Sequence, residues 1–344
     1  MTATAIDPER ISAFAGRLFG AATASLELAT VYLGDRLGLY RALAERGPLT
    51  AAELAQATAT HERYVREWAR AQAVCGILEL DEDRFRLPPE HAEGLVNRDS
   101  PTYLVPLAAM HANGALLMRD LLDAFRHGGG VGYERYAAEF RDAQQDLTRP
   151  LYLHNLGDWI AALPDAHERL TAGARAIDVG CGAGIAAVEL AKRYPFARVE
   201  GADLDEASID LARANARAAG VEVRFHTRDA SEPGLGGPYD LITLFDSLHH
   251  LARPVDALRR LRAVLAPGGT VLVAESRAEG EFERFTHLVS VIHCLPTAMA
   301  EQPSAGMGAV VEPETVLALA AEAGFAHAEV APIEHEMLRF FVLR

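Results

Sequence analysis

Two consecutive histidines, His249-His250, and a glutamate 26 residues later, Glu275, are the residues of this 344-residue sequence best suited to moving a proton. An imidazole titrates near neutral pH, and a carboxylate within reach fixes its orientation and supports its charged form. A second group is suited to binding. Gly180, Gly182 and Gly184 fall in Ala176-Ile-Asp-Val-Gly180-Cys-Gly182-Ala-Gly184, with Asp178 two residues before the first glycine. Glycine is needed where a backbone turns sharply, or where a ligand must approach without meeting a Cβ. Asp203 and Asp229 each close a later apolar run. A carboxylate about 20 residues past such a turn accepts hydrogen bonds from both hydroxyls of a ribose. The blander reading of Asp203 is a helix cap, although Asp205 is nearer, and that of Asp229 is a surface turn.

These residues need a frame. From Ala174 onward, apolar runs alternate with helical stretches: Ala176–Val179, Val199–Asp203, Val221–His226, Leu241–Phe245, Thr270–Ala274, Glu329–Ala331 and Leu338–Leu343. The alternation predicts an α/β domain with a doubly wound, mostly parallel, seven-stranded sheet covered on both faces. Ligands of such sheets bind beyond the carboxyl ends of the strands, where the strand order reverses. The N-terminal part reads differently. Residues 10–46 show helical spacing at Ile11, Phe14, Leu18, Ala21 and Ala22. Leu26 to Leu43 is apolar on most faces, so it needs cover on all sides, and another subunit is one source. Thr50-Ala-Ala-Glu53 is a capping box that opens a short helix. His61 to Val74 forms a second helix, and Ile77–Leu80 with Arg84–Leu87 reads as a hairpin. Helix, turn, helix and hairpin is winged-helix order. The expected division is a mainly α winged-helix domain over 1–100, a helical segment over 101–165 that contributes to the pocket, and the α/β domain over 166–344.

The glycine spacing is G-x-G-x-G with a leading acid. In the dinucleotide fingerprint the third glycine comes one residue later, where this chain has Ile185. Together with Val199–Asp203, Phe225-His-Thr-Arg-Asp229-Ala230, Leu241–Phe245 and Ala266-Pro-Gly-Gly269, this form resembles the motifs of class I S-adenosylmethionine (SAM)-dependent methyltransferases over 174–344. The resemblance implies a Rossmann-like fold, with SAM as cofactor and S-adenosylhomocysteine as product. It implies a cofactor site made of Asp178, Gly180, Cys181, Gly182, Gly184, Asp203, Leu204, Asp229, Ala230 and Phe245, with Asp229 on the adenine amino group. Val31–Tyr40, Gly47–Thr50 and Arg63–Trp68 resemble the N-terminal winged-helix domain of bacterial methyltransferases and small-molecule O-methyltransferases, which implies a homodimer through that domain. In plant-type O-methyltransferases the residue at the position of His249 is the general base. His250 stands where that family has Asp. Glu275 matches the carboxylate that orients the base, and Glu312 lies two residues out of register for a second one. The implied reaction is methyl transfer to the oxygen of a small, largely apolar or aromatic acceptor. Phe282, Phe285, His287, Val291, Met299, Met307 and Tyr103 are the candidate acceptor contacts.

Two other readings stay open. His249, His250 and His293 would hold a non-haem iron if the Phe282–Cys294 segment lies beside the pair. A related group of C-methyltransferases acting on α-keto acids uses a His-Asp pair and a later histidine in this way. Cys294 then reads as an inert buried thiol. A SAM-sensing transcriptional regulator would instead set Arg63, Arg66 and Arg70 on DNA. Charge argues against that: residues 1–100 hold 11 Arg against 15 Asp plus Glu, and the whole chain has a formal net charge of −15. Nucleic-acid binding depends on clustered basic residues. Cys75, Cys181 and Cys294 are far apart with no C-x-x-C pair, which fits a reducing compartment. Met1–Arg10 is polar and acidic, unlike a signal peptide. No apolar run approaches the ~18–20 residues of a membrane span. The expected location is the cytoplasm.

Overall fold

The computed structural model describes residues 6–344. Residues 1–5 of the polar Met1–Arg10 stretch lie outside the described residues. The chain divides into two compact units, Met1–Ala112 and Asn113–Arg344. Residues 101–165, expected as one connecting segment, are therefore split between the units.

In the first unit, α1 (Pro8–Arg36) is followed by α2 (Leu39–Arg46), β1 (Leu49–Thr50), α3 (Ala51–Ala57), α4 (Glu62–Val74), β2 (Glu79–Asp81), β3 (Arg84–Arg86) and α5 (Pro89–Leu95). The strands form a small antiparallel sheet in the order β1-β3-β2. Both bonds of the predicted capping box are made: Thr50 Oγ1 accepts from the Glu53 N–H at 3.2 Å, and Glu53 Oε2 accepts from the Thr50 N–H at 2.8 Å. Tyr40, Leu43, Leu54, Trp68 and Phe85 fill the core. Gly34 lets α1 pass close to α4, since a Cβ there would lie 2.5 Å from both Trp68 and Tyr40. Beyond this crossing α1 is bare: Ile11, Phe14, Leu18, Phe19 and Leu26 are all exposed. The helix α6 (Val105–Gly114) runs across the boundary of the two units.

The second unit continues with α7 (Met118–His127), α8 (Ala138–Ala161) and α9 (Pro164–Thr171). Strands and helices then alternate as predicted: β4 (Arg175–Val179), α10 (Ile185–Arg193), β5 (Arg198–Asp203), α11 (Glu206–Ala219), β6 (Val223–Thr227), β7 (Tyr239–Phe245), α12 (Pro254–Ala263) and β8 (Leu265–Ser276). A helical segment follows as α13 (Glu283–Val289), a π-helical turn (Ser290–Cys294) and α14 (Leu295–Ala298). The chain ends with α15 (Pro313–Ala323), β9 (Ala328–Val330) and β10 (Leu338–Leu343). The sheet order is β6-β5-β4-β7-β8-β10-β9, with only β10 pairing antiparallel to its neighbours. Side chains alternate across it. Ala176, Leu241, Phe245, Leu272, Ala274, Phe340 and Val342 meet α8 to α11, while Ile177, Ile242, Leu244, Val271, Val273, Phe341 and Leu343 meet α12 and α15. This is the two-sided burial that makes parallel strands almost wholly apolar. The order turns back at β4: the chain runs outward to β6, then returns to place β7 on the other side of β4. The carboxyl ends of β4 and β7 thus border a crevice. Among the described residues, no helix is long and apolar enough to cross a membrane.

Candidate active site

A cavity of about 1140 Å³ opens at those strand ends. Its walls include the turn after β4 (Gly180, Cys181, Gly182), the end of β5 (Asp203, Leu204) and the turn after β6 (Asp229, Ala230). Phe245, Asp246, Ser247 and His250 follow from the end of β7. Arg141, Gln145, Thr148 and Tyr152 of α8 close the opposite side.

The glycine turn has specific reasons for its composition. Gly180 has φ +70°, and a Cβ there would lie 2.6 Å from Ser247 Cβ. Gly182 has φ +51° and open space where a Cβ would point, so it is the point of the turn a ligand can touch. Asp203 locks the turn in place. Its Oδ2 accepts from the Gly182 N–H at 2.8 Å and its Oδ1 from the Asp205 N–H at 2.9 Å. Burial raises the Asp203 carboxyl, and these amide bonds oppose the shift. Asp205 caps α11 through the Ser208 N–H at 2.9 Å, as expected, and also pairs with the buried Arg141 at 2.8 Å. Asp229 is held from both sides: Ser231 donates to Oδ1 at 2.7 Å and Arg253 to Oδ2 at 2.8 Å.

Two of the expected cofactor residues stand behind the wall. Asp178 is buried and accepts from Thr243 Oγ1 at 2.7 Å, joining β4 to β7. Burial pushes its carboxyl up to about 7, with the Thr243 bond opposing and the Asp203 charge adding. Gly184 packs against Ala212 and Phe225 at the start of α10. Gly180, Cys181, Gly182, Asp203, Leu204, Asp229, Ala230 and Phe245 do line the cavity.

The proton-transfer pair is assembled, but deeply. Glu275, the penultimate residue of β8, lies beside the end of β7, because Phe245 pairs with Ala274 in the parallel ladder. Its Oε2 lies 2.5 Å from His249 Nδ1, and its Oε1 accepts from the Leu248 N–H at 2.9 Å. Both side chains are 1% exposed. Burial opposes charge on His249, but the Glu275 carboxylate outweighs it and holds the imidazole well above its usual range. His249 itself does not line the cavity; His250 does, with its ring 4.2 Å from that of His249. Burial and the neighbouring imidazoles push His250 well down. His250 Nδ1 is 2.8 Å from Thr297 Oγ1.

Other expectations fail on position. Phe282, Phe285, His287, Val291, Met299 and Met307 do not line the cavity, and Phe285 and Val291 face outward. Tyr103 belongs to the core of the first unit. Glu312 is exposed at the start of α15. The three histidines are not the set brought together: His249, His250 and Cys294 offer ligand atoms within 4.8 Å of one another, as do Asp246, His249 and Glu275, and neither group includes His293. Tyr152, Arg141 and Arg253 were missed. Tyr152 and Arg141 sit on α8, whose period shows a buried face but not what that face encloses, and Arg253 is the turn residue before α12. Asp246, at φ +51° in the left-handed region, is a strained non-glycine residue in the cavity wall.

Comparison with known proteins agrees with this architecture. Residues 176–269 match the methyltransferase domain, and residues 24–97 match the Rv2258c-like winged HTH domain. A ubiquinone biosynthesis O-methyltransferase of Marinobacter nauticus is 35% identical over 112 residues, which is 31% of this chain and 46% of that protein. The methyltransferase GfsG of Streptomyces halstedii is 29% identical over 171 residues, which is 44% of this chain and 61% of that one. The chain thus spans about half the length of the curated relatives it matches. The mitomycin 7-O-methyltransferase MmcR shares the fold with a TM-score of 0.75 at 19% identity, over 98% of this chain and 99% of that one. Human N-acetylserotonin methyltransferase, solved with SAM, does so with a TM-score of 0.71 at 21% identity, over 100% of this chain and 99% of that one. The chain therefore carries a methyltransferase domain behind a winged helix-turn-helix domain, in the fold of the SAM-dependent O-methyltransferases.

Asp178 gives a pH test. Its folded carboxyl titrates above the ordinary range, so it favours the folded state while protonated. That contribution is complete below about pH 4 and is lost as pH rises through about 7. In thermal melts of the ligand-free protein between pH 4 and 8, wild type should lose stability relative to Asp178→Asn as pH rises. A constant difference between the two would show that Asp178 titrates normally.

Proposed function

We propose that this chain is a SAM-dependent methyltransferase that moves a methyl group to a hydroxyl of a small, largely apolar or aromatic acceptor. The observation that carries the reading is the carboxylate of Asp203, fastened to the Gly182 amide at the point where a ligand can touch the turn. Asp203 would take the ribose hydroxyls, Asp229 and Ala230 would meet the adenine, and Gly180 would border the methionine part. SAM supplies a methyl group already bonded to a cationic sulfur. The Asp203 carboxylate in the cavity wall, supported by two backbone amides, suits that charge.

The protein's remaining work is to align the acceptor and take its proton. His249 is the proposed base. Glu275 occupies its Nδ1 and leaves Nε2 for the acceptor, which reaches it past His250. On α4, Arg63 and Arg66 are spent on Glu67 and Glu62, which disfavours the regulator reading. The bare stripe on α1 supports a homodimer, since apolar residues at this spacing are rarely left to water.

Calorimetry with S-adenosylhomocysteine should give one site per chain, and Asp203→Ala should weaken it at least tenfold, about 1.4 kcal/mol. No heat with wild type would overturn the reading. In an assay of labelled methyl transfer to a panel of phenols, His249→Gln should cut turnover by ~10²–10⁴ without changing S-adenosylhomocysteine affinity. His250→Gln should act mainly on the acceptor KM; the reverse pattern would make His250 the base. Sedimentation should find two chains per particle, and Phe14→Asp with Leu18→Asp should give one. A monomeric wild type would refute the dimer.

A further inference from the structure

Among the described residues, four buried side-chain atoms lack a hydrogen-bond partner: Tyr136 Oη, His249 Nε2 and both ring nitrogens of His293. They gather in one knot. The Tyr136 and His293 rings lie 5.0 Å apart, those of His293 and His250 5.6 Å, and those of His250 and His249 4.2 Å. Buried polar atoms nearly always have a partner, so a concentration of orphans marks a place where something else binds.

The donors in this knot indicate what that is. His249 and His250 each use Nδ1 on a protein group, Glu275 and Thr297 respectively. That leaves each Nε2 for a ligand. The π-helical turn Ser290–Cys294 carries two consecutive residues, His293 and Cys294, inside the protein at 5% and 6% exposure. Such turns recur at functional sites. One ring nitrogen from each of His249 and His250 and the Cys294 Sγ lie within 4.8 Å of one another. Zinc bonds imidazole nitrogen at about 2.0–2.1 Å and thiolate at about 2.3 Å, so small side-chain rotations close the set. The carboxylate behind His249 is the outer contact that metal-binding imidazoles usually carry. Sulfur in the set favours a softer ion than iron held by imidazole and carboxylate.

We infer that His249, His250 and Cys294 form a binding site for a thiophilic divalent cation of the zinc class. Binding converts the Cys294 thiol to a thiolate and strips the Nε2 proton from His249, and both protons go to solvent. The ion is reached from the cavity, since His250 is in its wall. The consequence rests on the proposed methyl transfer: an ion on His249 Nε2 occupies the lone pair the base needs, so the filled site is a switched-off state. Metal binding and proton removal at His249 exclude each other.

Cobalt(II) is the probe, because it replaces zinc and its spectrum reports the ligands. Titrated into metal-stripped full-length protein, it should give a near-ultraviolet thiolate-to-cobalt band that saturates at one ion per chain, with visible bands of a four-coordinate ion. Cys294→Ser should abolish the near-ultraviolet band, and His293→Ala should retain it. Calorimetry with S-adenosylhomocysteine on the same samples shows that each variant is folded. No sulfur band in wild type, or a band that survives Cys294→Ser, overturns the site and leaves the knot to ordered water. A sulfur-free spectrum lost in His293→Ala overturns it in favour of three imidazoles. A cobalt band without S-adenosylhomocysteine binding would keep the metal site and remove the methyl-transfer reading; binding without a band would do the reverse.

Discussion

The carboxylate of Asp203 is the fastening on which the cavity depends. One oxygen holds the Gly182 amide and the other holds the Asp205 amide, so the turn after β4 is tied to the end of β5. The tie extends further. Asp205 grips Arg141, and Arg141 also donates to the Tyr133 and Tyr136 carbonyls, which fixes the start of α8. One run of polar contacts thus sets the distance between two walls of the cavity. Arg141 is paired with Asp205, so its charge is already answered there. Beneath the turn, burial favours the neutral form of Asp178, while the amide bonds to Asp203 support the charged form of that carboxylate and leave it the acidic group that faces the cavity.

The second half of the site follows from strand pairing. β7 and β8 are parallel neighbours in a register that aligns Phe245 with Ala274. The next residues on each side are therefore brought together above the sheet edge. The 26-residue separation of His249 and Glu275 spans the return crossover through α12, and the pair could not meet without it. Glu275 does two jobs there, holding the Leu248 amide as well as the imidazole. It fixes the backbone that carries His249 and not only the ring.

Much of this was legible in the sequence because it is local. The glycine turn, the strand ends at Asp203 and Asp229, the Asp205 cap and the Thr50–Glu53 box each follow from a few adjacent residues. The seven-stranded sheet followed from apolar runs whose two faces are both buried. What escaped was non-local. Asp178 looked like a ligand contact because it precedes the glycines, yet its side chain points back to Thr243. The apolar residues of 282–307 looked like pocket lining because a helical period marks a face without naming its partner. The π-helical turn breaks that period, so the inward placement of both His293 and Cys294 had no signal in the spacing. Tyr152 and Arg141 lie on α8, between the N-terminal motifs and the glycine turn, and only the folded chain brings them to the strand ends.

The most direct test of the account is a crystal structure of the full chain with S-adenosylhomocysteine. Both ribose hydroxyls should hydrogen-bond to the Asp203 carboxylate, with the adenine beside Asp229 and Ala230 and the sulfur toward the end of β7. A nucleoside bound elsewhere in the cavity, with its sugar out of contact with Asp203, would contradict it.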